Sequence, residues 1–195
     1  MKYDPKKHHR RSIRLKGYDY SRPGWYFITI NCKNRARLFG EIKDGEMILN
    51  DAGRMFESQW LALRDRFTNI ELQEFQVMPD HFHSILVITA VETVIETTVV
   101  ATLVVASNDV EAATRVATTT AEPLLPKKIT VGAIIGAFKS IVTVEYIHGV
   151  EQFGWPRFKG KILQRNYHER ILRGEKSRQR VAKYIIDNPK NWRDT

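Results

Sequence analysis

Val77-Met78-Pro79-Asp80-His81-Phe82-His83-Ser84-Ile85-Leu86-Val87-Ile88 is the stretch on which the reading of this chain turns. Pro79-Asp80 interrupts two apolar, β-branched runs, so Ile70 to Met78 and His81 to Ile88 read as two strands around a turn. Side chains alternate faces along a strand, which sends His81 and His83 one way and Phe82 the other. One apolar ring goes to a core while two imidazoles meet at a shared place. That arrangement suits one metal ion, although a bare His-x-His also occurs as two surface histidines. The apolar run that follows favours the metal reading, because a buried strand is a rigid mount for ligands.

Working outward, Trp25 to Cys32 is aromatic and β-branched and predicts a strand. Arg37 to Lys43 and Glu46 to Leu49 flank Asp44-Gly45, a hairpin signal. Asn50 or Asp51 caps a helix in which Met55, Phe56, Trp60 and Leu63 recur at helical spacing. Val131, Ile134, Ile135, Phe138, Ile141 and Val142 form the stripe of a core-packing helix, with Lys139 and Ser140 away from it. Phe153 to Gln164 reads as loop or short strand. Glu175 to Asn188 reads as a last helix, stopped by Pro189. The order is strand, hairpin, helix, strand, strand, insertion, helix, loop, helix. It predicts an α+β domain, an antiparallel sheet with helices packed mainly on one face.

The chain of 195 residues suits one domain with an insertion. Residues 1–22 read as a basic arm, residues 23–88 and 129–195 as the domain, and residues 89–128 as a low-complexity insertion of Thr, Val, Ala and Glu. Net charge is +9. Residues 89–126 carry a net −4, so the rest holds +13 and the insertion is not the contact for a polyanion. A basic chain with interleaved aromatics points to nucleic acid. The single cysteine, Cys32, excludes an internal disulfide and a cysteine zinc cluster, and fits a reducing, cytoplasmic setting. The basic start has no apolar stretch of a secretory signal, and no apolar run is expected to span a bilayer.

Two further constellations bear on chemistry. On a helix, Arg180, Tyr184 and Asn188 are spaced by four and share a stripe, while Val181 and Ile185 pack down. A tyrosine half-buried at a helix end is the plainer reading of Tyr184. From Trp155 to Arg173, cations alternate with aromatics: Arg157, Lys159, Lys161, Arg165, Asn166, Tyr167, Arg170 and Arg173. Cations track phosphates and aromatics stack on unpaired bases, a mixture suited to single strands or hairpin tips. The competing reading is a solvated basic face.

In order along the chain stand His8 to Leu15 (HHRRSIRL), Phe39-Gly40-Glu41-Ile42, Leu49 to Gly53 (LNDAG), Val77 to His83, Gly136 to Ser140 (GAFKS), Gln164 to Ile171 (QRNYHERI) and Tyr184 to Pro189 (YIIDNP). As an ordered set these resemble the tyrosine transposases of the IS200-like group, above all the single-domain relatives associated with repeated extragenic palindromes. The resemblance implies a ferredoxin-like fold and a His-hydrophobic-His site for Mg²⁺ or Mn²⁺. It implies His81, His83 and Asn188 as metal ligands and Tyr184 as the nucleophile, leaving a 5′-phosphotyrosine and a free 3′-hydroxyl. Tyr167 is the competing nucleophile. Tyr184 is preferred because its partner four residues on can be a ligand. Asp80 stands where the family often has Asn, and either adds a carboxylate near the metal or shapes the turn. Ser84, Leu163 and His168 also depart from the family's usual residues.

The function these features imply is a metal-dependent DNA endonuclease and strand transferase. Its partner would be single-stranded or hairpin, palindromic DNA, without membrane, and it would act as monomer or homodimer. The chemistry suits the residues: a divalent ion offsets phosphate charge, and a covalent phosphotyrosine stores the bond energy for rejoining. A catalytically silent DNA- or RNA-binding protein derived from a transposase is the alternative. A zinc hydrolase lacks a third strong ligand in sequence.

Overall fold

A computed structural model describes residues 14–90 and 128–193 of the chain. The arm before Arg14 and most of the expected insertion lie outside the described residues. Among these residues six strands and four helices follow one another: β1 (Gly24–Asn31), β2 (Gly40–Lys43), β3 (Glu46–Leu49), α1 (Asp51–Leu61), the single turn α2 (Leu63–Arg66), β4 (Ile70–Val77), β5 (His81–Ile88), α3 (Val131–Phe153), β6 (His168–Leu172) and α4 (Glu175–Ile186). Short 3₁₀ turns at Lys33–Arg35 and Pro189–Asn191 complete the set.

The main sheet is antiparallel with strand order β4-β5-β1-β6, and β2 and β3 form a separate hairpin. β1 and β5 pair without a break from Gly24 opposite Ile88 to Asn31 opposite His81. All eight residues of β5 are buried, as a central strand covered on both faces requires. Tyr26, Ile28, Ile30, Phe82, Leu86 and Ile88 face one side and meet α1 and α3 through Phe56, Trp60, Ile135 and Phe138. Trp60 meets two rings there edge to face, Phe82 at 4.8 Å and Phe138 at 5.1 Å.

On the opposite face Ile85 and Leu172 pack against Val181, Ala182 and Ile185 of α4. So α1 and α3 cover one face, as the pattern predicts, while among the described helices it is α4 that covers the other. This exception matters, because His81 and His83 are on the α4 face.

Asn50 is the cap of α1, its Oδ1 accepting from Gly53 N–H at 2.8 Å. Gly53 is required where it stands, since a Cβ there would lie 2.1 Å from the Phe39 carbonyl oxygen. α3 continues past Val142, the last residue of the predicted stripe, and ends at Gly154 in the left-handed region (φ 68°). Contrary to the expectation from sequence, it is long and apolar enough, by length and composition, to cross a bilayer. Here Val131, Ile134, Ile135, Phe138, Val142 and Tyr146 bury one side of it in the core.

Strand β6 is the element sequence reasoning missed. His168-Glu169-Arg170-Ile171-Leu172 has three charged or imidazole side chains in five and reads as part of a basic loop. It is an edge strand, where exposed charge blocks further pairing. The end of the basic arm is docked: Val131 N–H donates to the Tyr20 carbonyl, and Tyr18 and Tyr20 pack on the core.

Candidate active site

β5 delivers His81 and His83 to the α4 face, and register fixes what stands beside them. Thr29 lies opposite His83, and Asn31 opposite His81. From α4 and the turn after it come Tyr184 and Asn188. These residues line an open cleft of about 390 Å³ together with Arg35, Asn191, Trp192 and Arg193. The structure therefore brings together the two histidines, the tyrosine and the asparagine that the sequence singled out from distant positions.

Each imidazole is held from behind. Nδ1 of His81 lies 2.6 Å from Asp80 Oδ1, and the other carboxylate oxygen takes an ion pair from Arg35 at 2.8 Å. Arg35 also donates to Asn31 Oδ1 at 2.8 Å. A carboxylate can only accept, so the His81 proton belongs on Nδ1 and Nε2 is left with its lone pair. Nδ1 of His83 is 2.9 Å from Thr29 Oγ1, and Nε2 of the same ring is 3.3 Å from the Tyr184 hydroxyl. With Nδ1–H donating to Thr29, Nε2 is the acceptor that faces Tyr184. The two histidine rings are 4.6 Å apart between centroids. Phe27 stacks on His83 at 5.4 Å and meets Tyr184 edge-on at 6.1 Å. Trp192 lies over His81 at 5.8 Å.

Both histidines are buried, and burial disfavours the charged imidazolium. It pushes His83 down to about 3, aided by the neighbouring His81 and Arg35. Burial lowers His81 as well, against the opposing pull of Asp80 and a hydrogen bond with Asn188. Neutral imidazoles with their Nδ1 atoms engaged are the form that binds a cation through Nε2. Together with the buried Asn188 amide they fit a divalent ion. Among the described residues no group of three His, Cys, Asp or Glu is placed to hold one ion, so the third donor here is the Asn188 amide, while Asp80 faces the far side of the His81 ring.

The residues expected to contact DNA lie outside this cleft. Arg157, Lys159, Lys161, Arg165 and Asn166 are exposed on the segment between α3 and β6; Arg170, Arg173 and Arg180 are exposed on β6, just after it and on α4. None of them lines the cleft. Arg170 does lie opposite Phe27 and His168 opposite Thr29, which puts both on the sheet face that carries the histidines. Tyr167 is remote from the cleft: its hydroxyl accepts from Arg14 at 2.5 Å, and burial beside Glu169 raises its pKa. Sequence reasoning missed Thr29, Asn31, Arg35 and Trp192. Only the register of β1 could have drawn attention to Thr29 and Asn31.

No protein-family model matches the chain. An uncharacterized protein of Haemophilus influenzae is 36% identical over 197 residues, covering 98% of this chain and 94% of that protein. The two belong to one family. Among solved structures, a REP-associated tyrosine transposase bound to a REP hairpin superposes with a TM-score of 0.53 over 92% of this chain and 74% of its own, at 15% identity. The chain has the fold of a tyrosine transposase. Within that fold the histidine strand is central, and the helix bearing Tyr184 covers the sheet face on which His81 and His83 lie.

Proposed function

We propose that the protein is a metal-dependent DNA endonuclease and strand transferase that cuts single-stranded or hairpin DNA through a 5′-phosphotyrosine on Tyr184. The observation that carries this reading is the convergence of Tyr184, His83, His81 and Asn188 on one cleft within a transposase fold. The solved transposase of that fold is bound to a REP hairpin, which supports hairpin DNA as the partner class.

His81, His83 and Asn188 would hold Mg²⁺ or Mn²⁺. When bound, the ion supplies charge to offset the phosphate and a template for its alignment. Asp80 and Thr29 orient the two imidazoles. Tyr184, half exposed at the cleft mouth, is open to a phosphate entering from solvent. Its oxygen forms a bond to phosphorus while the bond from phosphorus to the 3′-oxygen breaks. The tyrosine proton is lost and the leaving 3′-oxygen gains one, so a 3′-hydroxyl departs. In the reverse sense a 3′-hydroxyl attacks the phosphotyrosine and restores the diester, with no nucleotide triphosphate consumed. The exposed cations from Arg157 to Arg180, with Asn166, would contact the backbone outside the cleft. Tyr167 would pack rather than react.

The test is strand cleavage of palindromic single strands from the gene's flanks, with Mn²⁺ or with EDTA. Metal-dependent nicking at one position is the expected result. Tight, salt-sensitive binding with no cleavage of any strand would replace this reading with the silent binding protein.

A further inference from the structure

A second cavity, of about 440 Å³, lies between α3 and the loop of residues 160–165. Lys139, Lys161 and Arg165 line it together with Ser140 and Gln164, and among the described residues no acidic one does. Lys139 is anchored from below, its ammonium donating to the carbonyls of Gln164 and, at 3.0 Å, of Arg165. Those two bonds use two of its three protons, and the third remains for a ligand. Burial and the charge of Lys161 push Lys139 down to about 8. Three cations around one groove without a counter-charge are a site that an anion relieves.

Position supports the same conclusion. Lys33 N–H donates to the Ile162 carbonyl at 2.6 Å, and Gln164 N–H donates to the Asn31 carbonyl at 2.8 Å. The loop that walls the groove is thus bonded to the end of β1, and Asn31 on that end lines the cleft. We infer that this groove is a phosphate-binding site in which Lys139, Lys161 and Arg165 hold the backbone of the DNA strand flanking the one in the cleft. The inference rests on the nuclease reading for the identity of the anion. It adds a separate anchoring site around the end of the sheet.

The test uses Gly136, which also lines the groove. A Cβ built there meets nothing within 4 Å, so a larger side chain fills the groove without disturbing the core. Binding of a labelled hairpin-forming single strand is measured in EDTA at several salt concentrations for wild type, Gly136→Phe and the Lys161→Ala/Arg165→Ala double variant. Gly136→Phe should weaken binding by about tenfold, as expected when roughly one or two phosphates are no longer neutralised, with thermal stability kept. The double variant should lower the slope of log affinity against log salt by about 0.7–0.9 for each phosphate it leaves unneutralised. If both variants bind like wild type, or only the charge variant is weakened, the groove is not the site, while the DNA reading stands. If wild type shows no salt-sensitive binding to any strand, both fail.

Discussion

The Tyr184 hydroxyl stands 3.3 Å from Nε2 of His83, and the ring's other nitrogen is fixed by Thr29 at 2.9 Å. A nucleophile candidate on a late helix is thereby tied to a ligand candidate on the central strand. The partners behind the rings are then as testable as the rings themselves.

Asp80 and Thr29 engage the Nδ1 atoms of His81 and His83, and removal of such partners typically costs about 10–100-fold in metal affinity. Asp80→Asn should weaken Mn²⁺ binding by about that range and Thr29→Val by about the lower end, measured by calorimetric titration. Unchanged Mn²⁺ affinity in both variants would mean that the ion binds elsewhere.

Stability should depend on pH through His83. Its pKa is about 3 in the fold and 6.5 when unfolded. Between these values the unfolded chain binds the extra proton, so stability rises with pH and is lost as pH falls below 6.5. Metal-free protein should lose urea resistance progressively from pH 6.5 downward, and His83→Phe should flatten that slope. Equal slopes in the two proteins would contradict the buried neutral imidazole.

Ser84 is fully buried on the aromatic face of the sheet, and its hydroxyl has no hydrogen-bond partner. An unsatisfied buried hydroxyl costs roughly 1–3 kcal/mol, more than the small void its removal leaves. Ser84→Ala should leave stability unchanged or raise it by about 1 kcal/mol, read as a higher denaturation midpoint. A loss of about 1 kcal/mol or more would point to a partner for the hydroxyl.

Arg14 pairs with Glu169 at 2.8 Å, and the Glu169 side chain is 1% exposed. Taking away the cation strands a carboxylate in the core, a change that costs several kcal/mol when both partners are buried. Arg14 is itself about half exposed, so Arg14→Met should cost less, on the order of 1–3 kcal/mol. Arg14→Met/Glu169→Gln should recover part of the loss, which a double-mutant cycle measures.

The central strand was legible in the sequence because apolar alternation and the Pro79-Asp80 turn fix the faces of His81, Phe82 and His83 together. α1 was legible through Asn50 and the Phe56–Trp60 spacing. β6 was not, since its burial comes from pairing with β1 rather than from its own composition. α4's place on the histidine face was also hidden: Val181 and Ile185 announce an apolar stripe without saying which layer it meets. Asp80 could be read as turn or ligand, and the 2.6 Å contact with His81 makes it the carboxylate behind the ring.

The most direct test of the central claim is a covalent-adduct assay. Wild type, Tyr184→Phe and Tyr167→Phe are incubated with end-labelled hairpin single strands from the gene's flanks, in Mn²⁺ or EDTA, and run on denaturing gels. The account predicts a metal-dependent protein–DNA band in wild type and Tyr167→Phe that is absent from Tyr184→Phe. A band that persists in Tyr184→Phe, or none in wild type despite firm binding, would contradict it.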